Sequence, residues 1–175
     1  GRRVRSSRDG DRYAADAAYF ERQRLFGDLH ANLLTPAEFR QARCINDYNN
    51  VFQVQNWRLC GGGGDTGLPD LNDNDAAVLP QRQYVRALRS LGVSGFRIDA
   101  AKHMTAKQIA RIFTEDIVAD AFVYGEVITG SGLGDREYQL YLVPYLAETG
   151  HAAYDFPMHA SLRRAFAFGG NEFVR

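Results

Sequence analysis

The sequence predicts an α/β protein built on parallel strands, and three observations carry that prediction. Gly95-Phe-Arg-Ile98 and Phe122-Val-Tyr-Gly125 are short apolar runs, each followed at once by a carboxylate, Asp99 and Glu126. Between them, Ile109, Ile112, Phe113 and Ile117 recur at helical spacing over Thr105 to Val118. Thr105 and Gln108 form a capping-box pattern at the start of that helix. Strand, helix and strand over this length make one βαβ crossover, which sets two parallel strands side by side with their carboxyl ends at one rim.

Taken in order, Gly1 to Arg12 holds five arginines and little apolar content, the pattern of a solvated loop rather than a nucleic-acid arm given the acidic residues elsewhere. Tyr13 to Arg24 could form a short helix with a thin apolar face. Thr35-Pro-Ala-Glu38 is a local helix start, with Thr as cap and Pro at the first position. The alternation around Val51 to Trp57 predicts a strand. Cys44 and Cys60 bracket it and fit two readings, a disulfide closing a loop of ~15 residues or two buried thiols. Structural zinc is disfavoured, because no Cys-x-x-Cys is present. Gly61 to Gly64 reads as a turn, since no Lys-Ser/Thr follows as a phosphate cradle requires.

Asp70, on its own residues, reads as a cap. Pro80 is expected to open a helix carrying Tyr84, Val85, Leu88 and Leu91 and ended by Gly92. After Glu126, the Gly-rich stretch Ile128 to Asp135 is a candidate cleft loop. Tyr138, Tyr141, Leu142 and Tyr145 then fall at helical spacing within Arg136 to Leu146, a stripe expected in the core rather than under a sugar.

The chemistry concentrates where the two strands end. Arg97 lies two positions before Asp99, so both side chains leave one face of the strand. A guanidinium there keeps the carboxylate ionised, as a nucleophile requires. A lone Asp after a strand is more often a turn residue or cap. The pair with Glu126 changes that balance, because retaining glycosidases need two carboxyl groups ~5 Å apart, one nucleophile and one acid/base.

Gly95-Phe-Arg-Ile-Asp-Ala-Ala-Lys-His103, Gly125-Glu-Val127 and Gly67-Leu-Pro-Asp-Leu-Asn72 resemble three ordered signature regions of the α-amylase family, glycoside hydrolase family 13. The similarity spans about residues 40 to 160. It implies part of a TIM (β/α)8 barrel with an inserted irregular, β-rich domain B. Residues 1–71 would then be the domain B-like insertion with its preceding loop, and 72–175 the central part of the catalytic barrel. His151-Ala-Ala-Tyr-Asp-Phe-Pro157 resembles the sixth barrel strand, with a helix from Met158 to Phe168 after it.

The resemblance also implies roles. Asp99 would be the nucleophile and Glu126 the general acid/base in retaining hydrolysis of α-1,4-glucosidic bonds. Arg97 would orient Asp99 and, in some relatives, help bind chloride. Lys102 and His103 would contact glucose units on the leaving-group side. Asp70, with the main-chain carbonyls of Gln55 and His103, would hold a structural calcium, a cation that takes hard oxygen ligands. A domain B disulfide is common in secreted relatives, which favours the Cys44–Cys60 bond and a secreted, extracellular or periplasmic protein.

The expected partner is an α-glucan such as starch or maltooligosaccharides. Zero formal charge gives no argument for nucleic acid or an anionic membrane, and no apolar run approaches the ~20 residues of a membrane span. Oligomeric state is not legible. A full barrel takes ~250 residues, so 175 residues opening on Gly read as an incomplete barrel lacking the third family carboxylate. Two alternatives stay open: a transglycosylase of the same family, and a partial barrel without activity of its own.

Overall fold

Three parallel strands organise the molecule, a computed structural model describing residues 38–65, 67–130 and 134–166. The segments Gly1 to Arg12, Tyr13 to Arg24 and Thr35 to Ala37 lie outside the described residues. Strand β1, Gly95–Ile98, pairs with β2, Phe122–Gly125, in the register Gly95 with Phe122 through Ile98 with Gly125. A two-residue strand β3, Ala152–Ala153, adds to the far side of β2. The βαβ crossover expected from the sequence is present, as is the next strand. This partial parallel sheet clad in helices is a partial (β/α)8 barrel.

Alternation decides what each face of the sheet does. Phe96, Ile98 and Val123 are buried in a core shared with Val85, Ile109, Ile112, Ile117 and Tyr145. Arg97, offset by one residue, leaves from the opposite face.

The crossover departs from the expected single helix. It is made of α3, Ala106–Ile112, and a single turn α4, Glu115–Val118. Thr105 caps α3, its side chain accepting from the Gln108 N–H. Phe113 breaks the helix with φ −98° and ψ 67°, which brings its ring edge-on to Phe96 at 5.8 Å and to His151 at 6.3 Å. Tertiary packing of an aromatic ring overrides helix continuation at a residue of middling propensity.

Two further expectations need correction. The helix before β1, α2, runs Asp75–Ser90 and does not start at Pro80. Asn74 caps it by accepting from Ala77 N–H, and Pro80 lies inside. The carbonyl that loses its partner is that of Ala76, an exposed residue where water can substitute. Gly92, at φ +89°, closes the helix end as expected. The stretch expected as a strand is instead helix α1, Val51–Asn56. Asn50 caps it onto Gln53 N–H, and the Gln53 side chain accepts in return from Asn46 and Asp47 N–H. Val51 and Val54 fit helical spacing as well as alternation, and the cap decides between them.

The tyrosine stripe does go to the core. A π-helical turn, Tyr138–Leu142, leads into α5, Val143–Thr149, with Tyr141, Leu142 and Tyr145 buried. Helix α6, Phe156–Phe166, begins earlier than expected because Asp155 accepts from Met158 N–H.

The loop region Glu38 to Asp73 has little regular structure beyond α1. Its described residues pair only through two isolated bridges, Phe39 with Leu71 and Cys44 with Arg58. Cys44 and Cys60 form a disulfide, so the open reading of the cysteines closes on the bond. Among the described residues, no helix is long and apolar enough to cross a membrane.

Candidate active site

Strand β1 delivers Arg97 and Asp99 to one face of the sheet, and β2 delivers Glu126 beside them. Glu126 N–H extends the ladder by bonding Ile98 O at 2.9 Å, which fixes how the two strand ends align. Arg97 then holds both carboxylates. Its Nη1 donates to Asp99 Oδ1 at 2.5 Å and its Nη2 to Glu126 Oε1 at 2.7 Å. The bond to Asp99, ahead of the Glu126 charge, raises the affinity of this guanidinium for its proton. The carboxylates differ in shielding: the Asp99 side chain is 77% exposed and that of Glu126 24%.

The main chain adds a second link. Ala100 is the one non-glycine residue with positive φ among the described residues, at φ 48° and ψ 36°. That left-handed turn points its N–H at Glu126 Oε2, 3.2 Å away. Gly125 is required on the other side: a Cβ there would sit 2.5 Å from Tyr145 Oη and 2.9 Å from the Ala101 Cβ.

Lys102 and His103 follow in a short 3-10 turn, Ala101–His103. Lys102 is buried, its Nζ donating to Ile128 O at 2.9 Å and to Glu137 at 2.6 Å. It lies 5.3 and 5.0 Å from the ring centres of Tyr48 and Tyr141, whose hydroxyl in turn donates to Tyr48 O. Burial, and secondly Glu137, push the Tyr141 hydroxyl up to about 12. Glu137 escaped the sequence reading; an acid within a tyrosine-rich helical stretch was the available signal. His103 Nδ1 meets Val54 O at 3.2 Å, so this nitrogen carries the proton. Burial lowers its basicity and leaves the imidazole neutral near pH 7.

The expected calcium set is only partly assembled. The His103–Val54 contact brings the 3-10 turn against α1, next to Gln55. Asp70, however, faces cations of the chain itself: Arg40 Nε lies 3.1 Å from its Oδ2, and the Arg58 charge also acts on it. Burial nevertheless pushes the Asp70 carboxyl up to about 6. Among the described residues, no group of three His, Cys, Asp or Glu side chains could hold a metal ion. Asp70 Oδ2 is nonetheless buried without a hydrogen-bond partner, and with the main-chain carbonyls of Gln55 and His103 it would offer calcium the hard oxygen ligands that cation takes.

A parallel sheet with paired carboxylates at the carboxyl ends of neighbouring strands belongs to the (β/α)8-barrel class, whose functional groups gather at that rim. No protein-family model matches the chain. It is 50% identical over 159 residues to an α-amylase of Aeromonas hydrophila, covering 91% of this chain and 34% of that relative. Among solved structures, the cyclomaltodextrin glucanotransferase CldA matches with a TM-score of 0.63 and 24% identity, over 74% of this chain and 25% of that one. The α-amylase I of Eisenia fetida matches with a TM-score of 0.51 and 27% identity, over 65% of this chain and 24% of that one. Over most of its length the chain thus resembles the α-amylase family, glycoside hydrolase family 13. It spans about a third of the length of the Aeromonas relative.

Proposed function

We propose that Asp99 and Glu126 are the nucleophile and the general acid/base of a retaining glycosidase acting on α-1,4-linked glucans. One observation carries this reading: a single guanidinium, Arg97, engages both carboxylates where two parallel strands end. Asp99, open to solvent and ion-paired, attacks the anomeric carbon as a carboxylate. Glu126, the more shielded group, protonates the departing glycosidic oxygen and then deprotonates the incoming water. Arg97 orients both groups and disperses charge on Asp99. Lys102 acts here through Glu137 and Ile128 O, shaping the cleft wall rather than donating to a sugar. The 50% identity to a protein named α-amylase supports a starch-like substrate, and the disulfide supports an oxidising compartment such as the cell exterior or periplasm. No step passes through calcium or chloride.

These 175 residues alone are expected to hydrolyse starch negligibly, so the test is starch hydrolysis by a longer protein that carries the flanking barrel segments and by its Asp99→Asn and Glu126→Gln variants, with the first-formed anomer followed by NMR. Both variants should lose activity by orders of magnitude while keeping their circular dichroism, and the product should emerge as the α-anomer. A β-anomeric first product would sink Asp99 as nucleophile, and an unimpaired Glu126→Gln would remove the acid/base. The transglycosylase reading is separated in the same assay by adding an acceptor sugar and looking for elongated products.

A further inference from the structure

We infer that Glu137 is a positioning residue for Glu126: acting through Lys102, it clamps the short segment Glu126 to Ile128 on which the acid/base stands. The inference rests on the reading of Glu126 as acid/base, and its experiment separates failure of the one from failure of the other. Its ground is a change of support along the chain. Strand β2 ends at Gly125, and Glu126 N–H makes the last bond of the ladder to β1. Past that point Lys102 takes over. Its main-chain N–H donates to Glu126 O at 3.4 Å, and its Nζ donates to Ile128 O at 2.9 Å. One residue from the turn after β1 thus holds the carbonyls on both sides of Val127, which is fully buried.

The side-chain half of this clamp depends on Glu137. Lys102 is 7% exposed, and an ammonium taken out of water needs a counter-charge as well as acceptors. Glu137 Oε2, at 2.6 Å, supplies that charge. The rings of Tyr48 and Tyr141 wall the ammonium but are neutral, and their faces add only the weaker attraction of a cation to an aromatic ring. The Glu137 charge is felt across this enclosure: after burial, it is the cause that raises the Tyr48 hydroxyl. Glu137 leads directly into the π-helical turn, where Asp135 Oδ1 accepts from Tyr138 N–H at 2.9 Å and fixes its approach. With the carboxylate's charge removed, the ammonium gains by turning to water, which frees Ile128 O and lets the Glu126 segment shift. Arg97 and the Ala100 N–H still hold the Glu126 carboxylate, so the cost falls on alignment for proton transfer.

The experiment uses the longer protein that carries the flanking barrel segments, with Glu137→Gln, Lys102→Met, their combination, and Glu126→Gln. kcat/KM is measured on starch and on a nitrophenyl maltooligosaccharide, whose nitrophenolate departs without needing a proton. Glu137→Gln should lower kcat/KM on starch by roughly tenfold, part of the ~100-fold or more that a general acid contributes, and leave nitrophenolate release nearly unchanged. Equal losses on both substrates, as a merely structural role would give, overturn the inference, and so does no loss on either. Lys102→Met should show the same selectivity, and adding Glu137→Gln to it should cost little more, because Glu137 acts through the lysine. Additive losses overturn it as well. Should Glu137→Gln fail to fold, Glu137→Asp keeps the charge at shorter reach; it should show the starch-selective loss in smaller measure, and an unselective loss overturns the inference. An unimpaired Glu126→Gln would remove the acid/base reading and this inference with it. An impaired Glu126→Gln beside a normal Glu137→Gln would remove the inference alone.

Discussion

The sheet with its helices and the loop region from Glu38 to Asp73 are held together by different physics. Around β1 and β2 the backbone satisfies itself in a ladder, and apolar side chains such as Ile109, Ile98 and Val123 fill the space behind it. The loop region buries one large apolar side chain completely, Val54, and relies on a disulfide, on Asn50 and Gln53 capping α1, and on Arg40 bonded to Asn56. The first arrangement is distributed and tolerates the loss of any one polar contact. The second consists of a few discrete links, each of which can be cut by one substitution. A carboxylate pair needs the rigid kind beneath it, and both carboxylates stand on the sheet.

The sharpest way to break the contrast is at Ile109 on α3, which is fully buried in the core. Ile109→Ala should cost about 2–5 kcal/mol by lost burial and cavity formation, read as a shift in the urea midpoint. A loss under about 1 kcal/mol would mean that the sheet core can collapse around the gap and is less decisive than claimed. Next in size is the disulfide. Replacing Cys44 and Cys60 by alanine should cost ~3 kcal/mol in the chain-entropy account of a loop of ~15 residues. Hydrogen exchange should then quicken across residues 39–73 and leave the β1 and β2 amides slow. Equal quickening in both would show one cooperative unit in place of two regions.

The smallest effect is electrostatic and belongs to the sheet side. His151 packs edge-on against Phe113, and burial lowers its affinity for a proton, opposed only by Glu115. A histidine with a depressed folded-state value loses stability as pH falls below the unfolded value of ~6.5. The melting temperature should therefore drop as pH falls below about 6.5, and His151→Gln should flatten part of that slope. An unchanged slope would place the acid sensitivity elsewhere.

What was legible in the sequence follows the same division. The βαβ unit, the carboxylates at strand ends and the tyrosine stripe rest on periodicity, which a regular, core-backed structure imposes on its residues. The loop region imposes none. Val51 to Asn56 alternates well enough to read as a strand, and only the Asn50 cap, a contact three residues long, decides for helix. Pro80 misled because proline favours helix starts in general, whereas Asn74 offered a cap six residues earlier. Arg40 could not have been read at all: its partners at Asn56, Asp70 and Asp73 are 16 or more positions away, and only the fold brings them together. Glu137 was missed for the same reason, being 35 positions from Lys102.

The turn at Ala100 bears on how this rim can change through evolution. Its hold on Glu126 runs through a main-chain N–H, which every residue except proline supplies whatever its side chain. Codon changes at position 100 therefore leave the donor in place, although most side chains raise the strain of a left-handed conformation. Proline alone deletes the donor, and its ring, fixed near φ −65°, also forbids the turn. The donor half of this hold on the Glu126 carboxylate is thus kept through any change at position 100 except proline, and only the acceptor at position 126 is exposed to drift.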